Sequence, residues 1–347
     1  MKEKNKFMPG KLLGGLIITL IILISGICWQ VYHLLYSPDF ANSKDACVYI
    51  DRETGFDSLC KQLEDAGCTR IKDFMFLAER LEYPDNMRTG RYAVDKGMGM
   101  LDLVNRLRRG QQSAIKVTFN NVRTLDELAD LLDRQLMIGK DEILAIVLNP
   151  DSCLSLGFSA ETISAIFLPN TYEVYWNISA YNLVQRMKRE YNAFWNPDRR
   201  AKAEAIPLSP LDVSILAAIV EEEAALAEEY PIIAGLYINR LHKGMLLQAD
   251  PTLKYAAGDF SIRRLLNKHK EIPSPYNTYL HPGLPPGPIR IPSIQVVESV
   301  LGYMKHRYLF MCAKEDFSGR HNFAVTQAEH SRNAARYHAE LNRRRVR

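Results

Sequence analysis

The N-terminal segment is the strongest constraint on this chain. From Leu12 to Tyr36 no Asp, Glu, Lys or Arg interrupts LLGGLIITLIILISGICWQVYHLLY. Crossing a bilayer takes about 20 apolar residues, so this span is long enough. It is also longer than the apolar core of a signal peptide and lacks an A-x-A-like cleavage site. A retained transmembrane helix over residues 12–36 is therefore favoured over a cleaved leader.

Charges and aromatic residues around this span predict its orientation. Lysines are frequent in residues 1–11, and Trp29, Tyr32 and Tyr36 lie at the far end of the span. Lysines are retained on the cytoplasmic side of a membrane, and aromatic residues favour the interface. Residues 1–11 are thus predicted to be cytoplasmic in a single-pass protein of the inner (cytoplasmic) membrane. The chain after about Ser37 is predicted to be periplasmic or otherwise extracytoplasmic.

Composition narrows the functional classes. A chain of 347 residues with 47% hydrophobic and 24% charged residues is globular material for two or three domains. The net charge is only +4, and the one dense basic run is the terminal NRRRVR. No RNP-type aromatic motif accompanies it, so nucleic acid is not predicted as a partner.

Cysteine and histidine spacing indicates no metal or redox centre, and no cofactor is predicted. The six cysteines include no C-x-x-C pair, and the histidines include no H-E-x-x-H. A Cys60–Cys68 bridge would suit an oxidising compartment, but buried free thiols are the expectation. His321 and His330 are interpreted as packing or groove residues.

Short elements fill residues 44–116. CVYI and GRYAV are typical of strands, while helical spacing indicates helices after Thr54, over 71–81 and in GMLDLVNRLRRG. From the residues alone, this module is either a spacer that holds the rest away from the membrane or a small carbohydrate-binding domain.

A larger region follows, over residues 117–347. The alternating strand IKVTF leads into TLDELADLLDRQL, an amphipathic helix with a capping box of Thr124 and Glu127. KDEILAIVL is a further helical run. Helices interleaved with short strands in both regions predict an α+β fold.

The stretch IVEEEA raises the question of which glutamate matters. Ser209 and Pro210 signal a helix start, and the helix is expected to run from about Pro210 to Glu228. With about 100° per residue, Leu216, Ile219 and Val220 fall within roughly 60° of Glu223, and Leu226 and Ala227 continue this stripe. Glu221 lies nearly opposite and Glu222 about 100° away.

Glu223 is therefore a candidate general acid. A carboxyl among aliphatic side chains loses hydration, which raises its pKa toward the neutral range that acid catalysis needs. The structural alternative is a helix buried on several sides, in which Glu223 pairs with an arginine such as Arg240.

The segments after this helix favour a functional interpretation. They contain YINRLHKGMLLQADPTLKYAAG and the Pro/Gly-rich loop SPYNTYLHPGLPPGPIRIPS. Long irregular segments of this kind are usually functional. Amides and hydroxyls interleaved with tyrosines suit sugar rings, whose hydroxyls need hydrogen bonds and whose faces stack on aromatic rings.

At these motifs the chain resembles the endolytic murein transglycosylases, also called YceG-like proteins. The resemblance extends over nearly the whole chain and rests on AAIVEEEA, INRLHKGMLLQADPT, PYNTY with GLPPGPI, and GRHNFAVTQAEH. It implies a LysM-like module at residues 44–116 and a catalytic domain at 117–347. It also implies that the second glutamate of an E-x-E pair, here Glu223, is the catalytic residue.

The resemblance further implies a substrate and a groove. Peptidoglycan glycan strands are the expected substrate, with cell-wall synthesis proteins as candidate partners. Gln248, Asp250, Tyr276 and Asn277 are expected to line the sugar groove, with Asn239 and Arg240 supporting it. Asp250 precedes Pro251, so shaping a turn is an equal alternative for it.

A lytic transglycosylase needs one carboxyl group, which protonates the bond between N-acetylmuramic acid and N-acetylglucosamine and then deprotonates the muramic C6 hydroxyl. The product ends in 1,6-anhydro-N-acetylmuramic acid. Two alternatives stay open: a non-catalytic peptidoglycan-binding membrane protein in which Glu223 is structural, and a hydrolase that uses Glu223 with Asp250.

Overall fold

The fold is α+β, and among the described residues its strands form three two-stranded sheets. The computed structural model describes residues 10–40, 46–262 and 265–344. Residues 1–9, which include three of the four predicted cytoplasmic lysines, lie outside the described residues. So do residue 44, the predicted start of the first module, and residues 345–347 of the terminal basic run.

The helices and strands follow one another along the whole chain. The helices are α1 (Gly10–Tyr36), α2 (Phe56–Asp65), α3 (Ile71–Arg80), α4 (Met100–Arg109), α5 (Leu125–Asp133), α6 (Lys140–Val147), α7 (Pro150–Ser155), α8 (Ala180–Phe194), α9 (Pro197–Glu204), α10 (Pro210–Glu223), α11 (Tyr230–His242), α12 (Asp250–Ala257), α13 (Asn267–Lys270), α14 (Ile294–Leu301) and α15 (Gln327–Arg343). The strands are β1 (Ala46–Ile50), β2 (Gly90–Val94), β3 (Ile115–Phe119), β4 (Asn170–Val174), β5 (Phe310–Ala313) and β6 (His321–Ala324). Short 3₁₀ turns cover Pro84–Asn86, Ile163–Ile166 and Ala227–Glu229.

Helix α1 contains the uncharged span. Over Gly14–Tyr36, 23 residues with a mean hydropathy of 2.1, none of the helix is buried within the described structure. A helix of this length extends about 35 Å, more than the roughly 30 Å hydrocarbon core of a bilayer. Length and composition therefore suffice for a membrane crossing.

The chain divides into two compact units. The first comprises Met1–Ile115 with Glu173–Asn177, and the second comprises Lys116–Tyr172 with Ile178–Arg347. The stretch around Glu223 belongs to the second unit.

The first unit is built on an antiparallel pair of strands. In this pair Val48 of β1 lies opposite Tyr92 of β2. Leu59 of α2, Phe74 of α3 and Leu103 of α4 are fully buried in one hydrophobic core with these strands. The strands and helices predicted for this region are thus confirmed, because each short helix has one apolar face to bury.

A buried carboxylate follows α1 in the first unit. Asp39 accepts hydrogen bonds from the Cys68 thiol at 3.0 Å, the Thr69 hydroxyl at 2.8 Å and Nε of Arg70 at 2.9 Å. Burial alone would raise the pKa of Asp39, but these hydrogen bonds outweigh it and hold the pKa below its ordinary value. Cys68 and Cys60 are free thiols rather than a disulfide.

Helix α10 is the central helix of the second unit. Its start is fixed by Ser209 and Asp212, each of which binds the backbone N–H of the other, with Pro210 in the first turn. Every residue from 213 to 220 is buried, and α10 packs against α11, α12 and α14. The predicted helix start is confirmed.

The predicted end of this helix at Glu228 is wrong, because α10 ends at Glu223. Ala224 is extended, with φ −102° and ψ 126°, so Leu226 and Ala227 do not continue the stripe. The alanine-rich sequence would favour a longer helix. A tertiary contact competes with this preference: Glu229 is 4% exposed and accepts hydrogen bonds from His321.

Candidate active site

The last turn of α10 presents its three glutamates to three different environments. Oε1 of Glu223 accepts a hydrogen bond of 2.7 Å from the hydroxyl of Tyr237 on α11. Glu221 accepts one of 3.0 Å from the backbone N–H of Ser293, which caps α14. Glu222 binds arginines. Of the three, Glu223 lines the cavity described below, and Glu221 and Glu222 do not line it.

Arg290 joins the other two glutamates. Its guanidinium donates to Glu222 at 2.8 Å, and its Nε lies 3.4 Å from a carboxylate oxygen of Glu221. Arg290 is 7% exposed. Nη2 of Arg123 also donates hydrogen bonds to both carboxylate oxygens of Glu222, at 2.9 and 3.0 Å. This charge cluster binds the polar side of α10 at the point where the helix ends.

The cavity beside Glu223 has a volume of about 400 Å³. It is bounded by the last turn of α10, by α11, by the segment before α12, and by β5, β6 and α15. Its walls consist of Glu223, Leu236, Tyr237, Arg240, Leu247, Gln248, Asp250, Tyr279, Phe310, Met311, Cys312, Ala313, His321, Gln327 and His330. Carboxyl, hydroxyl, amide and imidazole groups therefore face one space, although residues 10–40, 46–262 and 265–344 contain no group of three or more His, Cys, Asp or Glu placed to hold a metal ion.

The pKa of the Glu223 carboxyl lies in the neutral range. Burial raises its pKa from 4.5 to about 7; the Tyr237 hydrogen bond opposes this rise, and the negative charge of Asp250 adds to it. The position of Glu223 in the last turn, at the negative end of the α10 dipole, acts in the same direction. At neutral pH this group can therefore both release and accept a proton.

The geometry argues against the structural alternative for Glu223. Arg240 does not pair with it, because the guanidinium donates to the carbonyl oxygens of Leu309 at 2.6 Å and Leu247 at 2.8 Å. The partner is Tyr237, whose own pKa is raised by burial and by the charge of Glu223. Tyr237 was missed in the sequence, although a tyrosine one turn before Arg240 on an apolar helix was a usable signal.

Two loops form the second side of the cavity and are fastened to each other. The backbone N–H of Gln248 donates to the Thr278 carbonyl at 3.1 Å, and that of Ala249 donates to the Thr278 hydroxyl at 3.0 Å. The Thr252 hydroxyl lies 2.8 Å from the same oxygen. Gln248 has φ 48°, a left-handed conformation that costs a non-glycine residue roughly 1–3 kcal/mol. These hydrogen bonds thus hold Gln248 in a strained backbone conformation on the cavity wall.

A hydrogen bond between Asp250 and Tyr279 also joins these two loops. The Tyr279 hydroxyl donates to Oδ1 of Asp250 at 2.5 Å, and both residues line the cavity. Asp250 also begins α12, so the turn-shaping interpretation and the cavity-lining one hold together. Tyr279 was missed because nothing in PYNTY distinguishes which of its two tyrosines faces the cavity.

Asn277 and Tyr276, both expected in the groove, lie outside the cavity wall. Asn277 is fully buried; its amide donates to the carbonyls of Lys270 and Ile272, each at 2.9 Å, and its oxygen accepts from the Tyr279 backbone. Tyr276 packs on Tyr255, with ring centroids 4.6 Å apart. These two residues shape the loop that presents Tyr279.

Asn239 and Arg240 act on the segment that leads into β5. The Asn239 amide donates to the carbonyls of His306 at 2.9 Å and Tyr308 at 3.0 Å. Arg240 binds the next carbonyl, that of Leu309, and also lines the cavity. Their contacts position the segment that leads into β5, and a supporting role in a sugar groove stays a prediction.

A carboxyl with a pKa raised to about 7, set in a polar cavity, is suited to acid–base chemistry. A model of the YceG-like family matches residues 48–336. Because this range covers most of the chain, the chain belongs to the YceG-like family.

Similar proteins extend this comparison. The chain is 26% identical over 355 residues to an endolytic murein transglycosylase of Streptococcus pneumoniae serotype 2, covering 92% of this chain and 64% of that protein. It is 28% identical over 271 residues to an endolytic murein transglycosylase of Bacillus subtilis (strain 168), covering 74% of each. The chain thus spans less than two thirds of the pneumococcal relative. A crystal structure of a yceG-like protein from Listeria monocytogenes superposes with a TM-score of 0.54 at 26% identity, covering 84% of this chain and 99% of that one.

The pKa of Glu223 makes stability depend on pH in a defined direction. Between pH 4.5 and about 7 the folded protein keeps a proton that the unfolded chain has lost, so the free energy of unfolding falls as the pH rises. Glu223→Gln removes this titration. One pKa unit corresponds to about 1.4 kcal/mol. Across that pH window the free energy of unfolding of the wild type should therefore fall by up to about 3 kcal/mol relative to that of Glu223→Gln. Urea denaturation at a series of pH values measures the difference.

The exposed Glu228 supplies the control, because Glu228→Gln should show no comparable divergence from the wild type. If the free energies of unfolding of Glu223→Gln and the wild type differ by the same amount from pH 4 to about 8, Glu223 titrates like a solvated carboxylate.

The charge cluster at the end of α10 gives a stability prediction. Arg290→Ala leaves Glu221 and part of Glu222 buried without their cation, which should cost about 3–5 kcal/mol in the free energy of unfolding. Arg320→Ala is the matched control, because the Arg320–Glu228 pair is exposed and its loss should change stability little. Equal denaturation midpoints for the two variants would contradict a structural role for Arg290.

Proposed function

We propose that this protein is a membrane-anchored endolytic peptidoglycan transglycosylase in which Glu223 is the general acid and base. The observation that carries the proposal is the Glu223 carboxyl, with a pKa raised to about 7, in a polar cavity. The names of the pneumococcal and Bacillus relatives support the reaction class. The match of the E-x-E motif to Glu223 supports the choice of residue.

In the first step, protonated Glu223 gives its proton to the oxygen that links C1 of N-acetylmuramic acid to N-acetylglucosamine. The C1–O bond breaks, and the released N-acetylglucosamine carries the proton as a hydroxyl. Positive charge develops at C1 while Glu223 becomes an anion. The Tyr237 hydroxyl, 2.7 Å from Oε1, stabilises this anion by hydrogen bonding.

In the second step, the Glu223 carboxylate takes the proton of the muramic C6 hydroxyl. The oxygen closes on C1 and forms the 1,6-anhydro ring, and the acid is regenerated. One group serves both steps because its pKa lies close to the working pH. No water enters the product.

Asp250 is proposed as a binding residue rather than a nucleophile. Its oxygen is engaged by Tyr279 at 2.5 Å, which orients the carboxylate on the cavity wall. Its negative charge raises the pKa of Glu223 and so favours the acid form before reaction. Gln248 and Arg240 line the same space. Tyr276, Asn277 and Asn239 are proposed to contribute by holding the surrounding loops.

Asp250 also supports a second candidate, a glycoside hydrolase with two carboxyl groups. Asp250 and Glu223 line one cavity, as a pair of acid and nucleophile or base must. The product distinguishes the two reactions: hydrolysis leaves reducing ends, whereas the transglycosylase leaves anhydro ends that are lighter by one water.

Helix α1 is proposed to be the membrane anchor, with residues 1–11 in the cytoplasm. The uncharged Gly14–Tyr36 segment and the lysines before it support this topology. Residues 117–347 would then form an extracytoplasmic catalytic domain, and residues 44–116 a LysM-like module that affects how glycan strands are engaged. Cell-wall synthesis proteins are the proposed protein partners.

The reaction proposal predicts a selective loss of turnover. Glu223→Gln keeps the shape of the side chain but cannot deliver a proton as an acid, so turnover should fall by at least roughly 10²–10⁴-fold. Mass analysis of products released from purified sacculi measures both rate and product, and wild-type products should end in 1,6-anhydro-N-acetylmuramic acid. Glu228→Gln, five residues along the chain and exposed, should retain wild-type turnover.

Full activity in Glu223→Gln would remove Glu223 from the chemistry. Reducing ends in the wild-type products would reassign the protein as a hydrolase with Asp250 as the second carboxyl group.

The topology proposal is tested by reporter fusions. A reporter that is active only outside the cytoplasm, joined after Arg347, should be active, because the lysines in residues 1–11 hold the start of α1 inside. A reporter active only in the cytoplasm should be silent at the same position. The reverse pattern would separate the protein from its proposed substrate.

A further inference from the structure

A glutamate and a histidine form a pair beside the cavity, and the histidine, His321, lines its wall. Glu229, 4% exposed, accepts the backbone N–H of His321 at 2.9 Å through one oxygen, and its other oxygen lies 2.8 Å from Nδ1 of His321. The carboxylate therefore fixes both the main chain and the ring of His321. None of the reaction steps above uses this pair.

The ring of His321 has its second nitrogen available. When Glu229 is ionised it can only accept hydrogen bonds, so the proton on Nδ1 faces Glu229. Among the residues that the structure describes, no hydrogen-bond partner engages Nε2 of His321, and the residue lines the same cavity as Glu223. A ring locked on one edge by a buried carboxylate is a preorganised hydrogen-bonding group.

A second histidine on this wall has an unused nitrogen. Nδ1 of His330 is buried and has no hydrogen-bond partner within the described part of the chain. Its ring stacks on Phe310, with centroids 5.5 Å apart, and also lines the cavity. A buried polar atom without a partner is rare in folded proteins and is often satisfied by a ligand. The β6 and α15 side of the cavity thus carries hydrogen-bonding capacity that the fold itself does not use.

We propose that His321 is a substrate-positioning residue, whose Nε2 forms a hydrogen bond with a hydroxyl group of the sugar bound beside Glu223 while Glu229 holds the ring in place. A sugar hydroxyl suits this site because it both donates and accepts hydrogen bonds. Neutral His321 accepts from it through Nε2, and protonated His321 donates to it. This inference rests on the proposed function, since it takes a glycan as the ligand.

Binding measurements on a non-cleaving background test the proposal. Full-length Glu223→Gln protein in detergent is titrated with purified uncrosslinked glycan strands, alone and combined with His321→Ala. The double variant should bind about tenfold more weakly, as expected for one lost hydrogen bond to a preorganised group. Glu223→Gln combined with His338→Ala is the control, because His338 is exposed on α15 and does not line the cavity.

A second variant separates positioning from folding. Glu229→Gln keeps the size of the side chain but replaces the charge-assisted hydrogen bond to Nδ1 with a weaker neutral one, so the ring of His321 is held less firmly. In the otherwise wild-type enzyme it should raise KM more than it lowers kcat, with an unchanged melting temperature. A structural role alone would instead lower the melting temperature and leave the KM of the folded enzyme unchanged.

The outcomes are distinguishable from failure of the proposed function. Wild-type protein that releases no anhydro ends would overturn the transglycosylase assignment. Wild-type protein that does release them, together with unchanged glycan affinity in the His321→Ala background and unchanged KM in Glu229→Gln, would overturn the role of His321 alone. If His321→Ala does not fold, the Glu229→Gln constants decide the matter.

Discussion

The rest of the site depends on the partial burial of one carboxyl group at the end of an apolar helix. Residues 213 to 220 of α10 are all buried, and this packing removes water from Glu223 and raises its pKa to about 7. A carboxyl in such a place lowers stability when it ionises. The structure offsets part of this cost with the Tyr237 hydrogen bond, and Arg290 fixes the neighbouring glutamates so that the helix end stays in position.

Features set by local periodicity and capping could be predicted from the sequence. The angular position of Glu223 on α10 follows from the helical repeat alone, and the start of the helix follows from Ser209 and Pro210. The Thr124 cap of α5 and the strands β1 and β2 were predictable for the same reason. Each depends on residues within a few positions of one another, where propensity and pattern act together.

Features that depend on distant residues could not be predicted in this way. Arg290 reaches Glu222 across 68 positions, and Tyr279 reaches Asp250 across 29. The end of α10 is another case, because the sequence after Glu223 favours helix while Glu229 is held by His321, 92 positions away. In the PYNTY loop the motif indicated the right region, but only the fold decides that Asn277 points inward to the backbone and Tyr279 outward to the cavity.

The three adjacent glutamates illustrate why chemical role follows from counterions rather than from residue type. Glu222 has two arginines within hydrogen-bonding distance, and their positive charges compensate its carboxylate. Glu221 accepts a hydrogen bond from the backbone N–H of Ser293 and lies close to Nε of Arg290. Glu223 has a neutral hydroxyl as its partner and, in the described structure, no arginine or lysine at ion-pair distance. A group in this last environment gains the most from taking up a proton, which is the property that a one-carboxyl mechanism requires of its acid.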